Sequence, residues 1–258
     1  MRARCPGRKQ KMRILISNDD GIFAPGIAAL IRACADAGHE IYVCAPDGQR
    51  SAASHSLTLR HALTVREMEI PGAVRAWAIG GTPVDCVKLG LLMLCPQAEF
   101  VISGVNHGYN AGTDILYSGT VGAAMEGVIN GRPAIAVSLA ASREDTYDKA
   151  AALAVGMLDR LMQHPLKPDT LLNLNYPAVD EALGVVAAPM KRIRYDEEYV
   201  KTVGEDGTVC YALGGAIAPE QEETDGDYAW LQRGYATATV LSFDLADKEA
   251  TESIKNWL

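Results

Sequence analysis

The chain has 258 residues, 48% hydrophobic and 22% charged, the proportions of an ordinary globular protein large enough to bury one substantial core. Its formal charge of -8 argues against a general nucleic-acid-binding surface while leaving room for a nucleotide held at a local site. No apolar run reaches the roughly 20 residues of a membrane-spanning helix, so neither a nucleic-acid polymer nor a membrane is expected as a partner.

Residues 1–11 are basic and polar and lack the apolar segment of a secretory signal, so they read as a disordered extension or an upstream start ahead of Met12. A buried strand is predicted over Arg13 to Ser17. A helix follows, with Ile27, Leu30, Ile31 and Cys34 on one face, Pro25 in its first turn and Gly38 at its end. Glu40 to Ala45 reads as a second buried strand, completing a βαβ unit whose strands should run parallel. After the Ser-rich loop 46–58, weaker strands are predicted near Leu63 to Arg66 and Val74 to Ile79. Thr82-Pro83-Val84-Asp85 has the pattern of a capped helix start. Glu99 to Ser103 is a further buried strand, followed by a loop with Gly104, Gly108 and Gly112 four apart. Ser118-Gly119-Thr120 opens a helix that Asn130-Gly131 stops. Ala134 to Ser138 and Thr170 to Asn175 read as strands around a helix over Thr146 to Met162. This alternation predicts an α/β fold, a mostly parallel sheet covered on both faces.

Beyond Pro177 the texture changes, which divides the chain into a core of about 12–177 and a C-terminal part of about 178–258. Lys191 to Leu213 alternates like a hairpin turning at Asp206-Gly207. A lone hairpin is marginally stable, so packing against another subunit is expected. A strand over Tyr235 to Leu245 and a terminal helix over Lys248 to Leu258 close the chain. The six cysteines form no C-x-x-C pair, and Cys34, Cys44, Cys86 and Cys95 sit in apolar surroundings, as in a protein of the reducing cytoplasm.

Asp19 and Asp20 stand at the carboxyl end of the first strand, where an open α/β sheet binds its ligands. Read alone, the pair is a solvated turn or a cap. At the end of a buried strand, two adjacent carboxylates call for a positive partner, and a divalent cation supplies it. Ser51 and Asn106 follow two other strands at the same rim. An all-oxygen set selects a hard cation, Mg²⁺, Mn²⁺ or Ca²⁺ rather than Zn²⁺. Ser118, Gly119 and Thr120 are either a simple cap or an anion site at a helix N-terminus. Asp114 is either an Asx turn or a general acid for a leaving alkoxide. The histidines show no metal-ligand spacing. No G-x-G-x-x-G, P-loop or G-x-S-x-G motif occurs, and adjacent acids are not the D-x-D of a phosphoaspartate phosphatase.

The segments SNDDGIFAPGI, RSAASHSLTL, GTPVDCVKLG, SGVNHGYNAGTDILYSGTVGAAMEG, NLNYP and TDGDYAWLQRGYATATV, in this order, resemble the SurE (survival protein E) family of nucleotidases from Met12 onward. The resemblance implies a Rossmann-like three-layer core with a C-terminal hairpin and helix extension exchanged between subunits, in homodimers or homotetramers. It implies hydrolysis of nucleoside 5'-monophosphates, with 3'-monophosphates and short polyphosphate as further substrates, by a metal-activated water. The family's metal positions fall on Asp19, Asp20, Ser51 and Asn106, with Mg²⁺ or Mn²⁺ as the ion. Its anion motif falls on Ser118, Gly119 and Thr120, with Asn110 nearby. The chain departs from the pattern at Ala52, Val105 and Ser242, the last in place of a family His. That last departure leaves a nucleotide- or phosphate-binding module with little or no turnover as the alternative.

Overall fold

The computed structural model describes residues 11–218 and 224–257. The expected N-terminal extension, apart from Lys11, therefore lies outside the described residues. In chain order, β1 (Arg13–Ser17) leads through α1 (Pro25–Asp36) to β2 (Glu40–Pro46), β3 (Val65–Met68) and β4 (Arg75–Ile79). Next come α2 (Pro83–Leu89), β5 (Phe100–His107), α3 (Gly119–Ile129), β6 (Ala134–Leu139), α4 (Tyr147–Gln163) and β7 (Thr170–Tyr176). The chain ends with β8 (Val185–Ala187), the hairpin strands β9 (Tyr195–Val203) and β10 (Val209–Ile217), α5 (Asp227–Gln232), β11 (Ala236–Ser242) and α6 (Lys248–Ser253).

Nine strands form one sheet in the order β3-β4-β2-β1-β5-β6-β7-β11-β8. β4, β2, β1, β5, β6 and β7 are mutually parallel, β3 pairs antiparallel to β4, and β11 pairs antiparallel to β7 and parallel to β8. From β1 the chain builds outward to β2 and then, on the other side, to β5. The crevice between the loops leaving β1 and β5 is thus the topological switch point, where open α/β sheets bind ligands.

The β1 residues alternate between two cores. Ile14 and Ile16 pack with Ile27, Leu30 and Ile31 of α1 and Ala150 and Ala154 of α4, whereas Leu15 packs with Val87 of α2 and Val121 and Ala124 of α3. Thr82 accepts a hydrogen bond from Asp85 N and Asp85 accepts one from Thr82 N, so the expected capping box starts α2. β5 runs longer than expected because its register against β6 shifts between Ser103 and Asn106 and then resumes. Gly104 makes the irregularity fit, at φ +131° with Val137 O only 2.2 Å from where a Cβ would stand. The first turn of α1 seats on the same bulge: a Cβ on Gly26 would lie 1.9 Å from Val105 O.

Glu126 is a charge built into the α2–α3 side. It is 2% exposed and accepts from Lys88 Nζ at 2.6 Å and Asn130 Nδ2 at 2.7 Å, with His55 Nε2 at 3.0 Å. Burial pushes its pKa up, but the bonds from His55, Lys88 and Asn130 outweigh burial and hold it below the usual range.

The C-terminal part departs most from expectation. β8 and β11 join the main sheet, so the division near 177 is not a boundary of the sheet. The antiparallel run of β11 sets Ser242 opposite Thr170, at the entry end of β7. The hairpin forms as expected around Asp206-Gly207, with Asp206 accepting from Thr208 N and Oγ1. Its strands are exposed along most of their length, and its base packs through Ile193, Tyr195 and Ile217 on Ala111, Leu231, Tyr109 and Tyr228. The expected terminal helix is α-helical only over α6, then tightens to a 3₁₀ turn over Ile254–Trp257.

Gly26→Ala is expected to destabilise the protein by about 1–3 kcal/mol in urea unfolding, because the added methyl collides with the β5 bulge; wild-type stability in this variant would refute that packing. Glu126, with a folded pKa below its unfolded value of 4.5, contributes stability above that value and loses it as pH falls through the folded pKa. Glu126→Gln is therefore expected to flatten the fall in stability from about pH 5 toward pH 3, and an unchanged pH slope would count against it.

Candidate active site

The turn after β1 is closed by Asn18, whose Nδ2 donates to Gly21 O at 2.9 Å. This turn directs the two carboxylates to different partners. Asp19 is 7% exposed, and its Oδ1 accepts from Thr120 Oγ1 at 2.5 Å. A Cβ on Gly119 would stand 3.0 Å from Asp19 Cβ and 3.1 Å from its Oδ2, so the opening turn of α3 rests directly on this carboxylate. Burial pushes the Asp19 pKa up to about 6; the Thr120 hydroxyl opposes the rise and the Asp20 charge adds to it. Asp20 accepts from His107 N at 3.1 Å, and its pKa is also raised by burial against that bond. The described residues give this pair hydrogen bonds but no lysine or arginine partner.

The loop leaving β2 is tied to the same point, because Arg50 N donates to Asp19 O at 2.7 Å. Ser51, next in the chain, is exposed and its Oγ accepts from Gln49 Nε2 at 3.0 Å. Beyond the β5 bulge, half-buried Asn106 donates from Nδ2 to Gly108 O at 2.8 Å, which leaves its amide oxygen available to a cation. Among the described residues no three His, Cys, Asp or Glu gather into a metal-holding group. A cation at this rim would therefore rest on two carboxylates and neutral oxygens. A buried Asp19 and a half-buried Asp20 without a lysine or arginine partner, and a buried Asn18 Oδ1 without a hydrogen-bond partner, fit a hard divalent ion.

On the anion side, Ser118 caps α3 by accepting from Val121 N at 3.1 Å. Thr120 is fully buried and its hydroxyl donates to Asp19, so it holds that carboxylate in place. Asn110 is likewise buried in a polar lattice. Its N–H donates to Asn175 Oδ1 and its Nδ2 to Ser138 Oγ, while its carbonyl accepts from Asn173 and Asn175. These bonds hold the loop after β5 on the ends of β6 and β7. Asp114 is committed elsewhere: it accepts from the Tyr195 hydroxyl at the base of the hairpin. Burial raises its pKa against that bond, and no hydrogen bond links it to Asp19 or Asp20. Ser242, opposite Thr170, lies at the other end of the sheet register from the carboxylate rim, and it lines a cavity of about 270 Å³ beside α3 together with Ser118, His55 and Phe243.

Sequence reasoning missed His55, which lies against Glu126, and the Asn173–Asn175 lattice. A glutamate inside the otherwise apolar 119–129 helix, and two asparagines alternating along a buried strand, were the available signals. It also missed His107, whose N–H holds Asp20 and whose Nδ1 lies 3.1 Å from Tyr147 Oη. Beside them opens a cleft of about 460 Å³ over the switch point, lined by Asp20, Phe23, Pro25, Asp47, Gln49, His107, Glu144 and Tyr147 among others.

The arrangement is that of a rim where a cation and an anion could meet across one carboxylate. The family described as Survival protein SurE matches residues 14–197. The 5'-nucleotidase SurE of Desulforudis audaxviator (strain MP104C) is 42% identical over 251 residues, covering 95% of this chain and 97% of the relative. That of Synechococcus elongatus (strain ATCC 33912 / PCC 7942 / FACHB-805) is 44% identical over 245 residues, covering 91% and 95%. The crystal structure of the SurE protein from Aquifex aeolicus superposes with a TM-score of 0.82 at 33% identity, covering 95% of this chain and 98% of that one. Shared sequence along nearly the whole chain and a shared fold lead to one conclusion: the chain belongs to the SurE family.

Proposed function

We propose that the protein is a 5'-nucleotidase, hydrolysing nucleoside monophosphates to nucleoside and phosphate with the help of one divalent ion, Mg²⁺ or Mn²⁺. The observation that carries this reading is the contact between Asp19 and the first turn of α3, which sets a cation-seeking carboxylate against an anion-seeking helix N-terminus. The relatives that match along nearly the whole chain bear the name 5'-nucleotidase, which supports it further.

Asp19, Asp20, Ser51 and Asn106 would hold the ion. When bound, a divalent cation polarises a phosphoryl oxygen and makes a water more acidic. The chain's own residues do the rest. Thr120 and His107 fix the two carboxylates through one hydrogen bond each. Ser118 and the opening of α3 face the phosphoryl group with a helix dipole and backbone N–H groups. An attacking water displaces the nucleoside oxygen in line, and that oxygen takes its proton from solvent, since Asp114 is held by Tyr195. The same rim accepts 3'-monophosphates and short polyphosphate as far as its phosphoryl chemistry is concerned.

The protein assembles as a homodimer or homotetramer through the C-terminal part, in this reading. Tyr199, Val200, Tyr211 and Leu213 are exposed on the hairpin and favour a covering partner. A cytoplasmic location agrees with free thiols at Cys34, Cys44, Cys86, Cys95 and Cys210. No described helix is long and apolar enough to cross a membrane.

Phosphate release from nucleoside 5'-monophosphates should require Mg²⁺ or Mn²⁺ and stop with a chelator; full activity in chelator would overturn the metal assignment. Asp19→Asn is expected to lower kcat/KM by on the order of 10²–10³-fold, the scale of one lost electrostatic element of a site. Thr120→Val leaves the carboxylate in place but unheld, so a smaller loss with a weakened Mn²⁺ affinity by calorimetry is expected. Wild-type Mn²⁺ affinity in Thr120→Val would refute the positioning role.

A further inference from the structure

The cleft beyond Asp20 is larger than a phosphate group needs, and at about 460 Å³ it falls within the range of small-molecule sites. We propose that it seats the nucleoside half of the substrate, with the base stacked on the ring of Phe23. This inference rests on reading the adjoining rim as a phosphomonoesterase site.

Position is the first argument. The loops after β1, β2, β5 and β6 all contribute to this cleft, which therefore lies over the switch point of the sheet and the start of α1. Asp20 belongs both to its wall and to the carboxylate pair, so the cleft adjoins the rim.

Chemistry is the second argument. Phe23 is 70% exposed on the short turn between Asp20 and α1, where a large aromatic side chain gains nothing from burial. Its ring and Pro25 give the cleft an apolar side suited to the flat face of a base. Asp47, Gln49 and Glu144 supply acceptors, and Gln49 also a donor, for ribose hydroxyls and the polar edge of a base. The cavity beside α3 sets Leu116, Leu241 and Phe243 beside Ser54, His55, Ser118 and Ser242, and offers no carboxylate or carboxamide.

The test compares kcat/KM for adenosine 5'-monophosphate and for base-free ribose 5-phosphate in the full-length protein with Mn²⁺. Wild type should prefer the nucleotide. Phe23→Ala should cut that preference about tenfold, mainly through KM of the nucleotide, the scale of one lost base–aromatic stack. Phe23→Trp should restore it. Equal preference in wild type and Phe23→Ala, or loss of preference in Phe243→Ala alone, would overturn the assignment and in the second case move the base to the cavity beside α3. If wild type hydrolyses neither substrate, the phosphomonoesterase reading fails by itself. Calorimetric binding of adenosine 5'-monophosphate to wild type and Phe23→Ala then decides the cleft, with equal affinities overturning it.

Discussion

Asp19 imposes the severest demand in this fold. A carboxylate that is 7% exposed must be held by donors, and here a threonine hydroxyl from a helix that begins 100 residues later meets it at 2.5 Å. Meeting that demand brings α3 down onto the end of β1, with only a glycine at position 119 between helix and carboxylate. The β2 loop is tied to the same residue through Arg50 N. Hydrogen bonds relieve only part of the cost of burying the charge, and the raised pKa records the remainder. A divalent ion would remove it. In this sense the partly compensated charge of Asp19 is the organising feature of the surrounding loops.

The rest of the rim is held by a buried polar lattice. Asn110, Asn173, Asn175 and Ser138 bond to one another beneath the loop after β5, and every one of them is buried. Such a lattice costs free energy if any member is left unpaired, so it resists rearrangement. The β5 bulge acts on the opposite side: it re-aims Asn106 toward the rim and gives α1 its seat through the Gly26 contact. Two loops that could wander are thereby fixed.

Much of this was legible in the chain itself. Continuous apolar runs at β1, β2, β5, β6 and β7 fit strands buried on both faces, and the capping box at Thr82 carries its own geometry in four residues. Local signals of this kind depend only on neighbours in sequence. The short strand β8, the 3₁₀ turn over Gly112–Tyr117 and α5 were not legible, because each is set by what it packs against. Asp114 shows the same limit: its residue type suits an acid catalyst, and only the arrival of Tyr195 from 81 positions away assigns it to the hairpin joint.

The sequence by itself determined the class of the fold, the oxygen-only character of the donor set and the strand ends at which those donors stand, since periodicity and residue chemistry are local properties. The tertiary structure alone decided which donor serves which purpose. Thr120 and Asn110 bond to buried partners that lie across the sheet rather than along the chain. The direction of β11, and with it the place of Ser242 beside Thr170, depended on how the last strand closes on β7, a pairing over more than 60 residues that no local pattern encodes.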